Sequence, residues 1–316
     1  MNNETASRFR FQNWLHTIFL LSGMLLLLGL IGWLVAGFIG VVWALSMGVV
    51  FIATTAKLSS RLILFLTGAS PVANNQLAQL RLIIEWLANR SQLAHLPKLY
   101  YIPGSAMLAL SVGMHRDTVI AISDGLLRGL NTRELAAVLA HEVSHIQSKD
   151  LWMKVVADVT TRITSLMALT GYIMMIIYLP LYILQDEDIP WVLLLLLIVS
   201  PNLSALMQLA LSRTREFSAD LQAVKLTGDP EGLISALGKI ERYQINWIEK
   251  LLLPGVSVPY PSLLRTHPLT EERIKRLQTL VQHDELHPFI NDQKIYPVRH
   301  EILRSTPWWR SGNLWH

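Results

Sequence analysis

From Phe11 to Ala56 the chain carries no Asp, Glu, Lys or Arg. This run of roughly 45 residues is twice the length of one membrane-spanning helix, which needs about 20. The expected structure is two helices in a tight hairpin, with a turn near Gly32 to Gly40, where the glycines serve either the turn or close helix packing. A second apolar pair follows, Ile163 to Gln185 and Ile189 to Ser212, separated by Asp186, Glu187 and Asp188. Pro201-Asn202 is expected to kink the last span. Hydrophobic residues make up 52% of the chain and charged residues only 16%, and both depart from soluble averages toward a membrane protein. The apolar N-terminal run is too long for a cleaved signal peptide.

The cations set an orientation. Arg8 and Arg10 precede the first span, Lys57 and Arg61 follow the second, Lys149, Lys154 and Arg162 precede the third, and Arg213 and Arg215 follow the fourth. The loop between spans three and four has none, so both termini are expected on the cytoplasmic side. These flanking cations also account for the net charge of +4. No basic block with interleaved aromatics precedes the far C-terminus, which argues against nucleic acid as a partner. The chain has no cysteine, so disulfides, thiolate metal sites and cysteine nucleophiles are excluded.

Between the hairpins lies a stretch of soluble character. Gln76 to Leu93 reads as an amphipathic helix, and Leu99 to Ile102, Met107 to Val112 and Thr118 to Ile122 read as short strands. Asn131 followed by Glu134 is a capping-box pattern that starts a further helix. With no Pro or Gly until Gly171, that helix should carry its next residues intact. Those include His141-Glu142-Val143-Ser144-His145. Positions i and i+4 share a helix face, so His141 and His145 can grip one metal ion from the same side. Glu142, about 100° round, can reach a water in the metal's open position, an arrangement suited to hydrolysis.

Two histidines do not close such a site. The polar end of the fourth span offers Glu216 as a third ligand and Asp220, one turn on, as hydrogen-bond acceptor for a ligating histidine's second nitrogen. The competing reading is a solvated helix end with paired charges at i and i+4. Further helical patterns lie at Leu221 to Lys225, Glu231 to Gln244 and Glu271 to Gln282.

At these residues the chain resembles the HtpX-type membrane metallopeptidases, zinc endopeptidases of the gluzincin kind. The likeness rests on His141 to His145 with Lys149-Asp150, on Ser212 to Asp220, on Thr266-His267-Pro268 with Glu271 to Ile274, and on the strand pattern before Gly113. It implies one Zn2+ per chain held by His141, His145 and Glu216, with Glu142 as general base. It also implies cleavage at the cytoplasmic face of a bacterial inner membrane and a role in quality control of membrane or unfolded proteins. The family's edge strand usually reads Asn-Ala-Phe-Ala-Thr-Gly; here Leu108, Ala109, Leu110 and Ser111 open the aligned segment, so an apolar side chain replaces the Asn. Main-chain pairing with substrate survives that change, while a side-chain amide contact does not.

His267 is either a residue leading into a helix or an imidazole donor to the oxyanion. Arg273 is expected to pair with a carboxylate near the site. Trp308, Trp309 and Trp315 with Arg304 and Arg310 suggest a tail at the membrane interface or a disordered one.

The fold expected is mainly α and integral to the membrane, four transmembrane helices in two hairpins, with a zincin-like catalytic domain containing a small β-sheet. Its divisions are 1–62 for the tail and first hairpin, 63–156 and 213–283 for the two catalytic halves, 157–212 for the second hairpin, and 284–316 for the Trp-rich tail. Partners are protein substrates and the lipid bilayer, and no feature sets an oligomeric state. The alternative function is a non-catalytic membrane scaffold or chaperone that keeps its zinc. An intramembrane protease is disfavoured by Arg133, Glu134, Gln147, Ser148, Lys149 and Asp150 around the histidines, since each Lys, Arg or Asp near mid-bilayer costs about 2.5 to 3.5 kcal/mol.

Overall fold

The computed structural model describes residues 3–73, 77–113, 117–185, 191–252 and 270–283. The elements are α1 (Asn3–Leu66), β1 (Ser70–Pro71), α2 (Ala78–Arg90), β2 (Lys98–Ile102), β3 (Ala109–Val112), β4 (Val119–Ser123) and α3 (Asp124–Gly129), followed by α4 (Thr132–Gln147), α5 (Asp150–Gln185), α6 (Trp191–Thr227), α7 (Pro230–Leu252) and α8 (Thr270–His283). The described chain is thus mainly helical with one small sheet. It divides into two compact units, Asn2–Ser59 with Trp152–Glu216, and Ser60–Leu151 with the chain from Phe217 onward.

The first unit is apolar helix. Among the described residues, three helical stretches are long and apolar enough to cross a membrane: Trp14–Thr54, Asp150–Pro180 and Trp191–Thr227. Phe19, Trp43 and Ile176 are each 72% exposed and Val192 75%, an outward apolar surface of the kind a lipid bilayer covers. Within α1, helical geometry fails at Ala36 (φ −146°, ψ 28°) and Gly37 (φ 60°, ψ −146°). The left-handed φ suits a residue without Cβ. On an unbroken helix Gly32 and Gly40 would lie about 12 Å apart. Instead, a Cβ placed on Gly32 would come within 2.7 Å of the Gly40 carbonyl oxygen, so the chain doubles back there. Gly37 makes the turn, and Gly32 and Gly40 make the close approach.

Inside this unit Leu28 and Ala44 of α1 pack with Val159 and Ile163 of α5, while Leu27 and Ile31 pack with Leu197 of α6. Pro201 has no N–H to give the Leu197 carbonyl. The Ser200 hydroxyl donates to that oxygen at 3.1 Å. The Thr161 and Ser204 hydroxyls meet at 3.0 Å, joining α5 to α6 by a polar contact inside apolar surroundings.

The second unit holds the sheet, in the order β1-β2-β4-β3. β2 runs parallel to β4, with Lys98 opposite Val119, and β3 runs antiparallel to β4, with Ala109 opposite Ile122. The three expected strands are present within two residues of their expected bounds. The two-residue β1, Ser70 opposite Tyr101, has no alternation for a sequence to display. β3 is an edge strand, a position that leaves one row of main-chain groups for another strand. Leu80, Ile84 and Leu87 of α2, Ile120 and Ile122 of β4, and Leu135, Leu139 and Val143 of α4 form one core with Leu233 and Leu277.

α4 is buried from Glu134 to His145. The expected capping box is present: the Asn131 side chain accepts from the Glu134 amide at 2.8 Å, and the Glu134 carboxylate accepts from the Asn131 amide at 2.9 Å. Glu134 also accepts from Ser235 Oγ at 2.6 Å and Lys239 Nζ at 2.7 Å, tying α4 to α7. Burial pushes the Glu134 carboxyl up, but the Lys239, Ser235 and Asn131 hydrogen bonds outweigh it and hold the group below the ordinary glutamate range.

Candidate metal centre

α4 carries both histidines intact, as its capping and uninterrupted sequence require, yet it stops at Gln147 rather than running on toward Gly171. Lys149 adopts φ 56°, a conformation that strains a residue with a Cβ, and α5 begins at Asp150. The reversal brings Asp150 back to the histidines: His145 Nδ1 lies 2.7 Å from Asp150 Oδ2, and the Asp150 side chain is wholly buried. From sequence, Asp150 belongs to the segment that carries the resemblance and to the charges around the histidines, with no contact to His145 assigned. Its contact depends on a left-handed Lys149, for which the sequence offers no glycine or asparagine as a signal.

His141 Nδ1 lies 3.0 Å from Asp220 Oδ1. Asp220 in turn accepts two bonds from the Arg273 guanidinium, from Nε at 2.7 Å and from Nη2 at 2.6 Å. A bidentate guanidinium neutralises a carboxylate that is otherwise costly to bury. Arg273 on α8 is thus paired with Asp220 on α6.

Each imidazole presents Nδ1 to a carboxylate, and their Nε2 atoms face each other at 3.1 Å. With Nδ1–H turned toward Asp150 in one ring and toward Asp220 in the other, each Nε2 keeps a lone pair, and two lone pairs at that distance can receive one cation. Glu216, four residues before Asp220 on α6 and 1% exposed, completes the group: one ligand atom from each of His141, His145 and Glu216 lies within 4.8 Å of the others. Two nitrogens and a carboxylate oxygen, all from buried residues, fit a divalent hydrolytic metal with a position left for water.

Glu142, next to His141, is buried at 9% exposure and outside that ligand group. Lys154 Nζ stands 3.4 Å from Glu216 Oε1, a neighbour that sequence reasoning did not single out. Of the expected substrate strand, Ala109, Leu110 and Ser111 lie in β3. Leu108 stands just before it, 37% exposed, with its amide donating to Ser123 Oγ at 2.9 Å. His267, the loop of Asp186 to Asp188 and the tryptophan tail lie outside the described residues.

Comparison with known proteins gives the family of the chain. Residues 74–281 match the model of peptidase family M48. A protease HtpX homolog of Acaryochloris marina is 37% identical over 233 residues, 70% of this chain and 78% of the relative. One of Desulfatibacillum aliphaticivorans is 31% identical over 278 residues, 84% of this chain and 89% of the relative. The crystal structure of S. mikatae Ste24p is similar over 85% of this chain and 66% of that one, with 21% identity and a TM-score of 0.48. The chain therefore belongs to peptidase family M48, as a membrane-anchored metalloendopeptidase of the HtpX type.

Proposed function

We propose that the protein is a zinc endopeptidase that cuts membrane or misfolded proteins at the cytoplasmic face of a bacterial inner membrane, which it crosses four times. The observation that carries the catalytic reading is the convergence of His141, His145 and Glu216. The break at Ala36 and Gly37 supports two crossings within α1, and the flanking cations support the orientation.

Zinc suits two imidazoles and one carboxylate that leave a position open. When bound, the ion supplies Lewis acidity toward a peptide carbonyl and toward water. Glu142 takes a proton from the water as its oxygen adds to the peptide carbonyl and the new C–O bond forms, and then delivers that proton to the amine nitrogen, which departs as the C–N bond breaks. Asp150 and Asp220 orient His145 and His141, and Arg273 holds Asp220 in turn. The main chain of Ala109, Leu110 and Ser111 pairs with an extended substrate at the sheet edge. Leu108 offers that substrate an apolar contact in place of an amide.

The test is Glu142→Gln in the full chain, purified in detergent and presented with casein. Zinc content should stay at the wild-type level and cleavage should vanish; cleavage at the wild-type rate would end the assignment. Rescue of a deletion strain by Glu142→Gln would favour the scaffold instead.

A further inference from the structure

Lys154 belongs to the same helical unit as Glu216, and its ammonium stands 3.4 Å from Oε1 of a carboxylate that is 1% exposed. A buried carboxylate that is a metal ligand has two demands on it. Without the ion its charge must be balanced by protein groups, and with the ion a nearby lysine adds a repulsive charge beside a divalent cation. Lys154 serves the first demand at the expense of the second. Its side chain is 40% exposed, so solvent screens the repulsion without abolishing it.

We infer that Lys154 is a positioning residue that stabilises the metal-free centre and thereby weakens its hold on the metal, keeping the ion exchangeable. This rests on Glu216 being the third ligand. Removing the ammonium raises the free energy of the metal-free state and relieves repulsion in the loaded one, so both effects act in the same direction. A residue needed only to shape the ligand set would act oppositely, and its loss would weaken binding.

The experiment uses the full chain carrying Glu142→Gln, which prevents self-cleavage, in detergent. Zinc affinity is read by competition with a fluorescent chelator, and thermal unfolding is recorded after EDTA. Lys154→Met should bind zinc roughly tenfold more tightly, the scale of one screened charge beside a divalent ion, and should unfold at a lower temperature when metal-free. Lys154→Arg should restore both. Affinity equal to or weaker than that of the parent would overturn the inference. If Lys154→Met is not recovered folded, Lys154→Gln is read in the same way. A parent that binds no zinc would overturn the ligand assignment itself, a result distinct from a parent and variant that bind equally well.

Discussion

His145 Nδ1 and Asp150 Oδ2 meet at 2.7 Å across the left-handed Lys149 that separates α4 from α5. The contact fixes the ring's orientation and, in the proposed centre, turns Nε2 toward the ion. Partners of this kind contribute about 10- to 100-fold in metal affinity. Asp150→Asn should lower zinc affinity by that factor while the far-ultraviolet circular dichroism stays unchanged, and titration against a chelator measures it.

Arg273 and Asp220 form a buried pair that breaks badly when one member is removed. Arg273→Ala leaves the Asp220 carboxylate without its guanidinium, at a cost of about 3 to 5 kcal/mol. Urea titration of the detergent-solubilised protein should show the midpoint falling. Arg273→Lys should recover only part of the loss, because an ammonium cannot reproduce the two parallel bonds.

Glu134 links stability to pH. Its carboxyl titrates below the ordinary range in the folded protein, so its contribution is full above the unfolded value, about 4.3, and is lost as pH falls through the folded one. Glu134→Gln keeps an N3 side chain able to cap but removes the charge facing Lys239. The stability gap between wild type and variant, measured by thermal unfolding, should therefore be large at pH 7 and shrink steadily below pH of about 4.

The turn in α1 is equally open to test. Gly32 faces the Gly40 backbone, whereas a Cβ on Gly29 would meet nothing within 4 Å. Gly32→Leu should destabilise the helical unit by about 1 to 3 kcal/mol or more, and Gly29→Leu should leave it unchanged. Thermal unfolding in one detergent compares them.

What was legible from sequence follows the range of the interactions involved. The capping box at Asn131 and Glu134, the shared face of His141 and His145, and the apolar spans are set by spacings of a few residues. The pairing of Arg273 with a carboxylate could be expected, but Asp220 as that carboxylate emerges only from three-dimensional packing. Asp150 and Lys154 were not legible in their roles. The first depends on a strained turn at Lys149, and the second on α5 lying beside the end of α6. β1 escaped notice because two residues display no pattern.

The central claim is that one zinc ion is held jointly by α4 and α6, and it is tested most directly by zinc stoichiometry with casein cleavage on wild type and Glu216→Ala in detergent. The account predicts one zinc per chain and cleavage for the wild type, and loss of both in the variant. A full zinc complement with normal turnover in Glu216→Ala would contradict it.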